Sequence, residues 1–215
     1  MITPSAIKPS AVIFDVGKVL YDWSPRYLYA TVFRERSIGD DRALDAFLRD
    51  VLTTEWHFQH DAGRPFAETS AELIAQFPEH AELIALWGPR FLETLGDPIP
   101  GMPELVAELD DAGVPLFAIT NFSGEFWKPF RAREAWLFDR FQDIVVSGDE
   151  KLIKPDPAIF ALALDRFGLR AAEAYFVDDN AANVDSAKAL GIISHHFTDA
   201  AQLRADLAAH GVFAR

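Results

Sequence analysis

Four short stretches of the chain carry residues that could do chemistry together. Ala11-Val-Ile-Phe-Asp15 is an apolar run ending in an acid, with Gly17 two residues on. Such a run reads as a buried parallel strand whose carboxyl end opens into a loop. Val114 to Thr120 has the same character and delivers Thr120 and Asn121, and Ala174 to Asp178 delivers the pair Asp178-Asp179 followed by Asn180. Two adjacent acids at a strand end are costly unless a cation or a basic group lies nearby. Lys154 stands directly before Pro155, which opens a helical run, so its ammonium can reach back over the sheet end toward Asp15 and the acid pair. The chemistry on offer is that of a carboxylate cluster holding a hard cation beside a fixed positive charge. Each residue also has a plain structural use. Asp15 and Asp178-Asp179-Asn180 could cap helices, and Lys154 could face solvent.

The elements that must position these residues are legible in the hydrophobic pattern. Ile144 to Ser147 and Ile192 to His196 resemble the three strands above, and between the strands lie helical patterns. Pro103 to Ala112 is stopped by Gly113, Pro157 to Phe167 by Gly168, and Asn180 to Leu190 by Gly191. This alternation predicts an α/β fold, a doubly wound parallel sheet with helices on both faces. Ligands bind beyond the carboxyl ends of the strands in such sheets. The strand-end polar residues are thus expected to meet there. Residues 24–98 break the alternation, with apolar residues at helical spacing through Leu44–Leu52, Leu73–Phe77 and Leu83–Phe91. They are expected to form a helical cap domain inserted into a core of residues 1–23 and 99–215, with Pro89 kinking or ending the third helix. Asp97-Pro98-Ile99-Pro100-Gly101 reads as the returning hinge, and residues 198–215 as a closing helix.

Composition narrows the function. The chain has 215 residues, 50% of them hydrophobic, with 18 Phe and 5 Trp, enough for a substantial core. No apolar run approaches the roughly 20 residues of a membrane span, and the opening Met-Ile-Thr-Pro-Ser-Ala-Ile-Lys lacks the layout of a secretory signal. A cytoplasmic protein with no membrane partner is expected. The absence of Cys leaves metal binding to oxygen and imidazole ligands. A formal net charge of −13 argues against a nucleic-acid partner, which needs Lys and Arg to displace counterions. It leaves room for a small phosphate ester in a locally basic site.

Phe14-Asp15-Val16-Gly17-Lys18-Val19-Leu20, Ala118-Ile-Thr120-Asn121, Lys154-Pro155-Asp156-Pro157 and Phe176-Val177-Asp178-Asp179-Asn180 resemble, in this order, the four motifs of the haloacid dehalogenase superfamily. The resemblance spans nearly the whole chain and implies a hydrolase. It implies that Asp15 is a covalent nucleophile, so that a phosphoryl group moves in two easier steps. Mg²⁺ would sit between the anions, held by Asp15, the Gly17 carbonyl, Asp178 and Asp179. Thr120 and Asn121 would bind the phosphoryl oxygens, with Lys154 neutralising them. A small phosphorylated metabolite such as a sugar phosphate is the implied substrate, and the protein is expected to be a monomer or a homodimer.

One position departs from the pattern. Phosphatases of this family carry a second Asp two residues after the nucleophile as general acid and base, where this chain has Gly17. Such help is worth roughly 10²- to 10⁴-fold. The chain therefore resembles phosphatases whose first motif reads Asp-x-Gly, or dehalogenases that attack carbon, or a binding protein without turnover. Dehalogenases lack the acid pair, so Asp178 and Asp179 favour phosphoryl chemistry. Asp22 is a candidate substitute acid, and Lys18, Trp23 and Arg26 flank the first motif. In the insertion, Trp56-His57-Phe58-Gln59-His60-Asp61-Ala62-Gly63-Arg64 is the richest stretch for reading substrate, with His57, His60 and Arg64 as candidates. The same aromatic residues could equally pack a small core.

Overall fold

The computed structural model describes residues 8–213. The first apolar run forms strand β1 (Ala11–Phe14), buried at every position. A loop carrying Asp15 and Gly17 leads to the short strand β2 (Tyr21–Trp23). Five helices follow: α1 (Pro25–Arg36), α2 (Asp41–Asp50), α3 (Thr54–Asp61), α4 (Phe66–Gln76) and α5 (Ala81–Arg90). The chain returns through β3 (Leu95–Pro98), antiparallel to β2. Next come α6 (Met102–Asp111), β4 (Leu116–Thr120), α7 (Gly124–Arg133), α8 (Ala135–Phe138), β5 (Asp143–Val146) and α9 (Ser147–Glu150). The last elements are α10 (Pro157–Phe167), β6 (Ala174–Asp178), α11 (Ala181–Ala189), β7 (Ile193–His196) and α12 (Ala200–Ala209).

The expected α/β architecture is present: a five-stranded parallel sheet of order β5-β4-β1-β6-β7, with β1 at its centre. The strands are near-continuous apolar runs because both faces are covered. Val12, Phe14, Ala118, Tyr175 and Val177 join one core, while Ala11, Ile13, Phe117, Ile119 and Phe176 join the other. This is the period-two alternation of a strand buried on both sides. Register does the rest. Phe14 pairs with Ala118 of β4 and Val177 of β6, so Asp15, Thr120 and Asp178 emerge on one edge.

Local signals account for the helix boundaries. Asp40 accepts hydrogen bonds from the Arg42 and Ala43 N–H groups to start α2, and Asp156 accepts from Ala158 ahead of Pro157 to start α10. Gly168 ends α10 at a φ of 67°. One detail, the length of the closing helix, differs from the sequence reading, and two others concern prolines. Pro89 lies inside α5, which runs on to Arg90 before a 3₁₀ turn over Phe91–Thr94. Helix α7 forms over Gly124–Arg133 despite Pro129. The closing helix stops at Ala209 rather than 215. Residues 1–7, which hold most of the opening stretch examined for a signal, and residues 214–215 lie outside those described. Among the described residues no helix is long and apolar enough to cross a membrane.

The helices of the insertion have no separate core. The cluster on one sheet face continues through Leu28, Tyr29, Phe47, Trp56 and Trp87. The seam is aromatic: Phe91 stacks on Phe126 of α7 at 4.4 Å and 15° and meets Phe122 edge-on at 5.4 Å. At Gly63, where φ is +89°, a Cβ would lie 2.6 Å from the Gly148 carbonyl oxygen, so the two backbones touch and only glycine fits. A shared core predicts cooperative unfolding. Far-ultraviolet circular dichroism and tryptophan fluorescence, which samples Trp23, Trp56 and Trp87 as well as Trp127 and Trp136, should give one coincident melt. Phe126→Ala should lower both together by about 3–5 kcal/mol. Separation of the two probes in the variant would show that the insertion folds on its own.

Candidate active site

At the carboxyl edge of the sheet the Lys154 side chain is almost wholly enclosed. Its Nζ lies 2.8 Å from Asp15 Oδ1, 2.7 Å from Asp178 Oδ2 and 2.8 Å from the Ile119 carbonyl. An ammonium has three protons, and these three acceptors use them all. Asn121 secures the lysine's backbone, donating from Nδ2 to the Lys154 carbonyl at 3.0 Å and accepting from its N–H at 2.9 Å. Asn121 also lines the cavity, with its side-chain oxygen and one amide proton engaged in holding Lys154. Thr120, expected beside it, is 1% exposed at the end of β4 and is absent from the cavity wall.

The acid pair divides into two roles. Asp178 is fully buried and accepts from the Asn180 N–H, from Asn183 Nδ2 through both oxygens, and from Lys154. Asp179 lines the cavity. Asp15, Asp178 and Asp179 each present a carboxylate oxygen within 4.8 Å of the others. Burial pushes the Asp15 carboxyl up to about 7; Lys154 opposes this, and Asp178 and Asp179 add to it. Burial and then the Asp178 charge raise Asp179 as well. Burial alone would lower the Lys154 ammonium, but Asp15 and Asp178 outweigh it and hold it above its ordinary value.

A cavity of about 270 Å³ opens above these groups. Asp15, Gly17, Lys18, Asn121, Lys154, Asp179 and Asn183 form its polar end, and Tyr21, Trp23, Phe58, Phe91, Leu95 and Phe122 form its walls. Helix α3 supplies Thr54, His57, Phe58 and Asp61, the i, i+3, i+4, i+7 face of a helix. The ring of His57 stacks on Trp23 at 4.9 Å and 21°, and burial pushes its imidazole down to about 4, so it is neutral near pH 7.

Four other candidates fall outside the cavity. Arg64 follows the turn at Ala62-Gly63, which takes it off the α3 face, and its guanidinium is held by Glu72 at 2.7 Å and by Gln59. Arg26 pairs with Asp45 and Asp41 on the surface. His60 points into the insertion, with Nε2 2.6 Å from Thr69 Oγ1, and burial pushes it down to about 3. Asp22 opens on a separate groove, where hydrogen bonds from Lys18 and then Tyr27 hold its carboxyl below the ordinary range. That is the wrong direction for a proton donor. Asn183 and Asp61 were not anticipated. The signal for Asp61 was the helical spacing of 54, 57, 58 and 61, and for Asn183 its place in the first turn after the acid pair.

This arrangement is that of a hydrolase working through carboxylates. A model of the haloacid dehalogenase-like hydrolases matches residues 9–191, and the chain belongs to that family. It is 27% identical over 192 residues to the sesquiterpene phosphatase astK of Aspergillus oryzae, covering 88% of this chain and 90% of that protein. It is 32% identical over 188 residues to the phosphoglycolate phosphatase of Yersinia pseudotuberculosis, covering 84% and 77%. In fold it is similar to the HAD family enzyme bt-2542 of Bacteroides thetaiotaomicron, solved with magnesium and inorganic phosphate. There the TM-score is 0.66 and the identity 20%, with 89% and 95% covered. The protein is thus a phosphatase-like hydrolase of this family.

The buried triad sets a test of stability. Removing one partner of a buried ion pair typically costs about 3–5 kcal/mol, and Lys154→Met should show this in urea unfolding at pH 8 without metal. The sign with pH follows from Asp15. In the wild type burial already holds Asp15 at about 7; without the ammonium its folded-state pKa stands higher still, so both proteins lose stability alike from about 4 to 7 and the variant's extra deficit opens as pH rises above about 7. The deficit should therefore be smaller at pH 5. A deficit equal at both pH values would assign the loss to packing.

Proposed function

We propose that this protein hydrolyses phosphate monoesters of small molecules through an aspartyl phosphate on Asp15, with Mg²⁺ as its metal. The observation that carries the reading is Lys154 bridging Asp15 and Asp178 below a closed-walled cavity, with Asp179 on its wall. Asp15 Oδ attacks phosphorus, and water then hydrolyses the acyl phosphate. Lys154 orients the Asp15 carboxylate and neutralises part of the charge that gathers there. The fit of a hard cation rests on three carboxylates within 4.8 Å, two of them with raised affinity for protons because burial disfavours their charge and the neighbouring acids add to it. Asp15, Asp178, Asp179 and the Gly17 carbonyl are the donors proposed for it. When bound, Mg²⁺ supplies charge neutralisation between the nucleophile and the phosphate.

The walls favour one kind of alcohol. A sugar phosphate would need several hydrogen-bonding groups, whereas Trp23, Phe58, Phe91, Leu95 and Phe122 offer mostly carbon. An ester of an aromatic or isoprenoid alcohol suits them better, in keeping with the likeness to a sesquiterpene phosphatase. Lys18 and His57 remain the side chains proposed to meet substrate at the cavity mouth. Helices α1 to α5 are proposed to act as a cap that keeps bulk water from the acyl phosphate.

Two outcomes check the proposal. Asp15→Asn should abolish turnover of aryl and prenyl phosphates in a protein that still unfolds cooperatively from a folded state, and exhaustive chelation should stop the wild type until Mg²⁺ is restored. Turnover that survives chelation would instead favour attack on carbon. Saturating Mg²⁺ should also raise the melting temperature, by the equivalent of about 2.7 kcal/mol at a hundredfold excess over Kd. Asp179→Ala should remove that increment, and its persistence would place the ion elsewhere.

A further inference from the structure

Gly17 leaves the phosphatase reading without a proton donor, and the cavity holds a carboxyl that no part of that reading uses. Asp61 is the last residue of α3 and lies on the face that lines the cavity shared with Asp15. What the two acids share is the lining of that one cavity; the Asp61 side chain is 3% exposed, and its Oδ2 lies 3.3 Å from His57 Nε2. Three contacts fix it against the core. Ser147 Oγ donates to its carbonyl at 2.5 Å, the Ser123 N–H donates to its carboxylate, and Gly63 rests on the Gly148 backbone two residues on. The carboxyl is therefore held where it is, in contrast to a side chain on a free loop.

We propose that Asp61 is the general acid and base of this enzyme, a substitute for the Asp absent at position 17. The inference rests on the phosphatase reading of the same cavity. In the first step Asp15 Oδ bonds to phosphorus and the bond from phosphorus to the ester oxygen breaks. The Asp61 carboxyl gives its proton to that oxygen, releasing a neutral alcohol. In the second step water attacks phosphorus, its proton passes to the Asp61 carboxylate, and the bond to Asp15 breaks to release phosphate. Burial supports this cycle by pushing Asp61 up to about 7, against the opposing Ser123 N–H, so both forms are populated near neutrality. His57, neutral by burial, can share the proton through Nε2. Its Nδ1 is buried with no protein partner.

The proton inventory around Asp61 determines how pH dependence is read. On its own helix are His57 and His60, both neutral. Asp149, Glu150 and Lys151 lie on or directly after α9, which packs against α3, and Asp15, Lys18, Lys154 and Asp179 lie around the cavity. Charges that govern Asp15 and the metal act on every ester alike. The ratio of alkyl to aryl phosphate kcat/KM therefore isolates the acid, since only a poor leaving group needs the proton. In the wild type that ratio should fall as pH rises through about 7.

The experiment compares an alkyl and an aryl phosphate in wild type, Asp61→Asn, Gly17→Asp and the double variant, with Mg²⁺. Asparagine keeps an acceptor for the Ser123 N–H, and the Gly17 backbone has no left-handed φ, with nothing within 4 Å of an added Cβ. Asp61→Asn should lose roughly 10²-fold or more in alkyl kcat/KM and far less in aryl kcat/KM. Its aryl kcat should fall with a burst of released phenol, because the acyl phosphate lacks its base. Adding Gly17→Asp should restore alkyl turnover. Equal losses on both esters without rescue would make Asp61 a cap anchor only and overturn the proposal. If Asp61→Asn does not fold, a wild-type ratio that stays flat from pH 5 to 9 overturns it instead. A wild type that hydrolyses no phosphate ester removes the phosphatase reading itself, whereas normal wild-type turnover with an insensitive Asp61→Asn removes only the role of Asp61.

Discussion

One ammonium holds this site together. Lys154 is enclosed between two carboxylates and a backbone carbonyl, and each of those charges would cost several kcal/mol to bury alone. The cost is offset only if every donor and acceptor is matched, and here the lysine's three protons find three acceptors. Besides the lysine, Asp178 receives three hydrogen bonds, from the Asn180 N–H and from Asn183 Nδ2 through both oxygens. The surrounding structure follows from this requirement. Asn121 clamps the Lys154 backbone, and the order β5-β4-β1-β6-β7 puts Asp15 at the centre with β4 and β6 on either side.

A second constraint is the way the insertion is seated. Its helices share the apolar cluster of one sheet face, through a seam of Phe91, Phe122 and Phe126 and a glycine contact at Gly63 and Gly148. Aromatic area and close backbone approach together make the seam rigid. That seating turns the Thr54, His57, Phe58 and Asp61 face of α3 into one wall of the cavity. It also explains why buried His57 and Asp61 share a cavity with Asp15 although they lie more than forty residues from it in the chain. The inserted helices thus contribute polar groups as well as cover, in a site whose first motif has lost one.

The core of the fold and the residues of the triad were legible in the chain because each rests on a local pattern. Apolar runs ending in Asp15, Thr120 and Asp178 read as strands, and Gly113, Gly168 and Gly191 read as helix stops. The insertion was less legible. Its aromatic residues satisfy core and substrate roles alike, so Arg64 and His60 looked as suitable as His57. The turn at Ala62-Gly63 and the partners Glu72 and Thr69 separate them. Asp22, attractive for its nearness to the nucleophile in sequence, is committed to Lys18 and Tyr27.

What the sequence by itself determined is the five strands of the parallel sheet, their polar ends and the glycine at position 17, since hydrophobic period and residue type are properties of short segments; the short pair β2 and β3 was not read from it. Tertiary structure alone decided how those groups divide their work. Asn121 clamps a lysine backbone beside the cavity, Asp178 is sealed while Asp179 stays on the cavity wall, and Asp61 joins the same cavity from the inserted helices. These outcomes depend on burial and on distances between residues far apart in the chain. Such quantities exist only once the sheet and the inserted helices have packed.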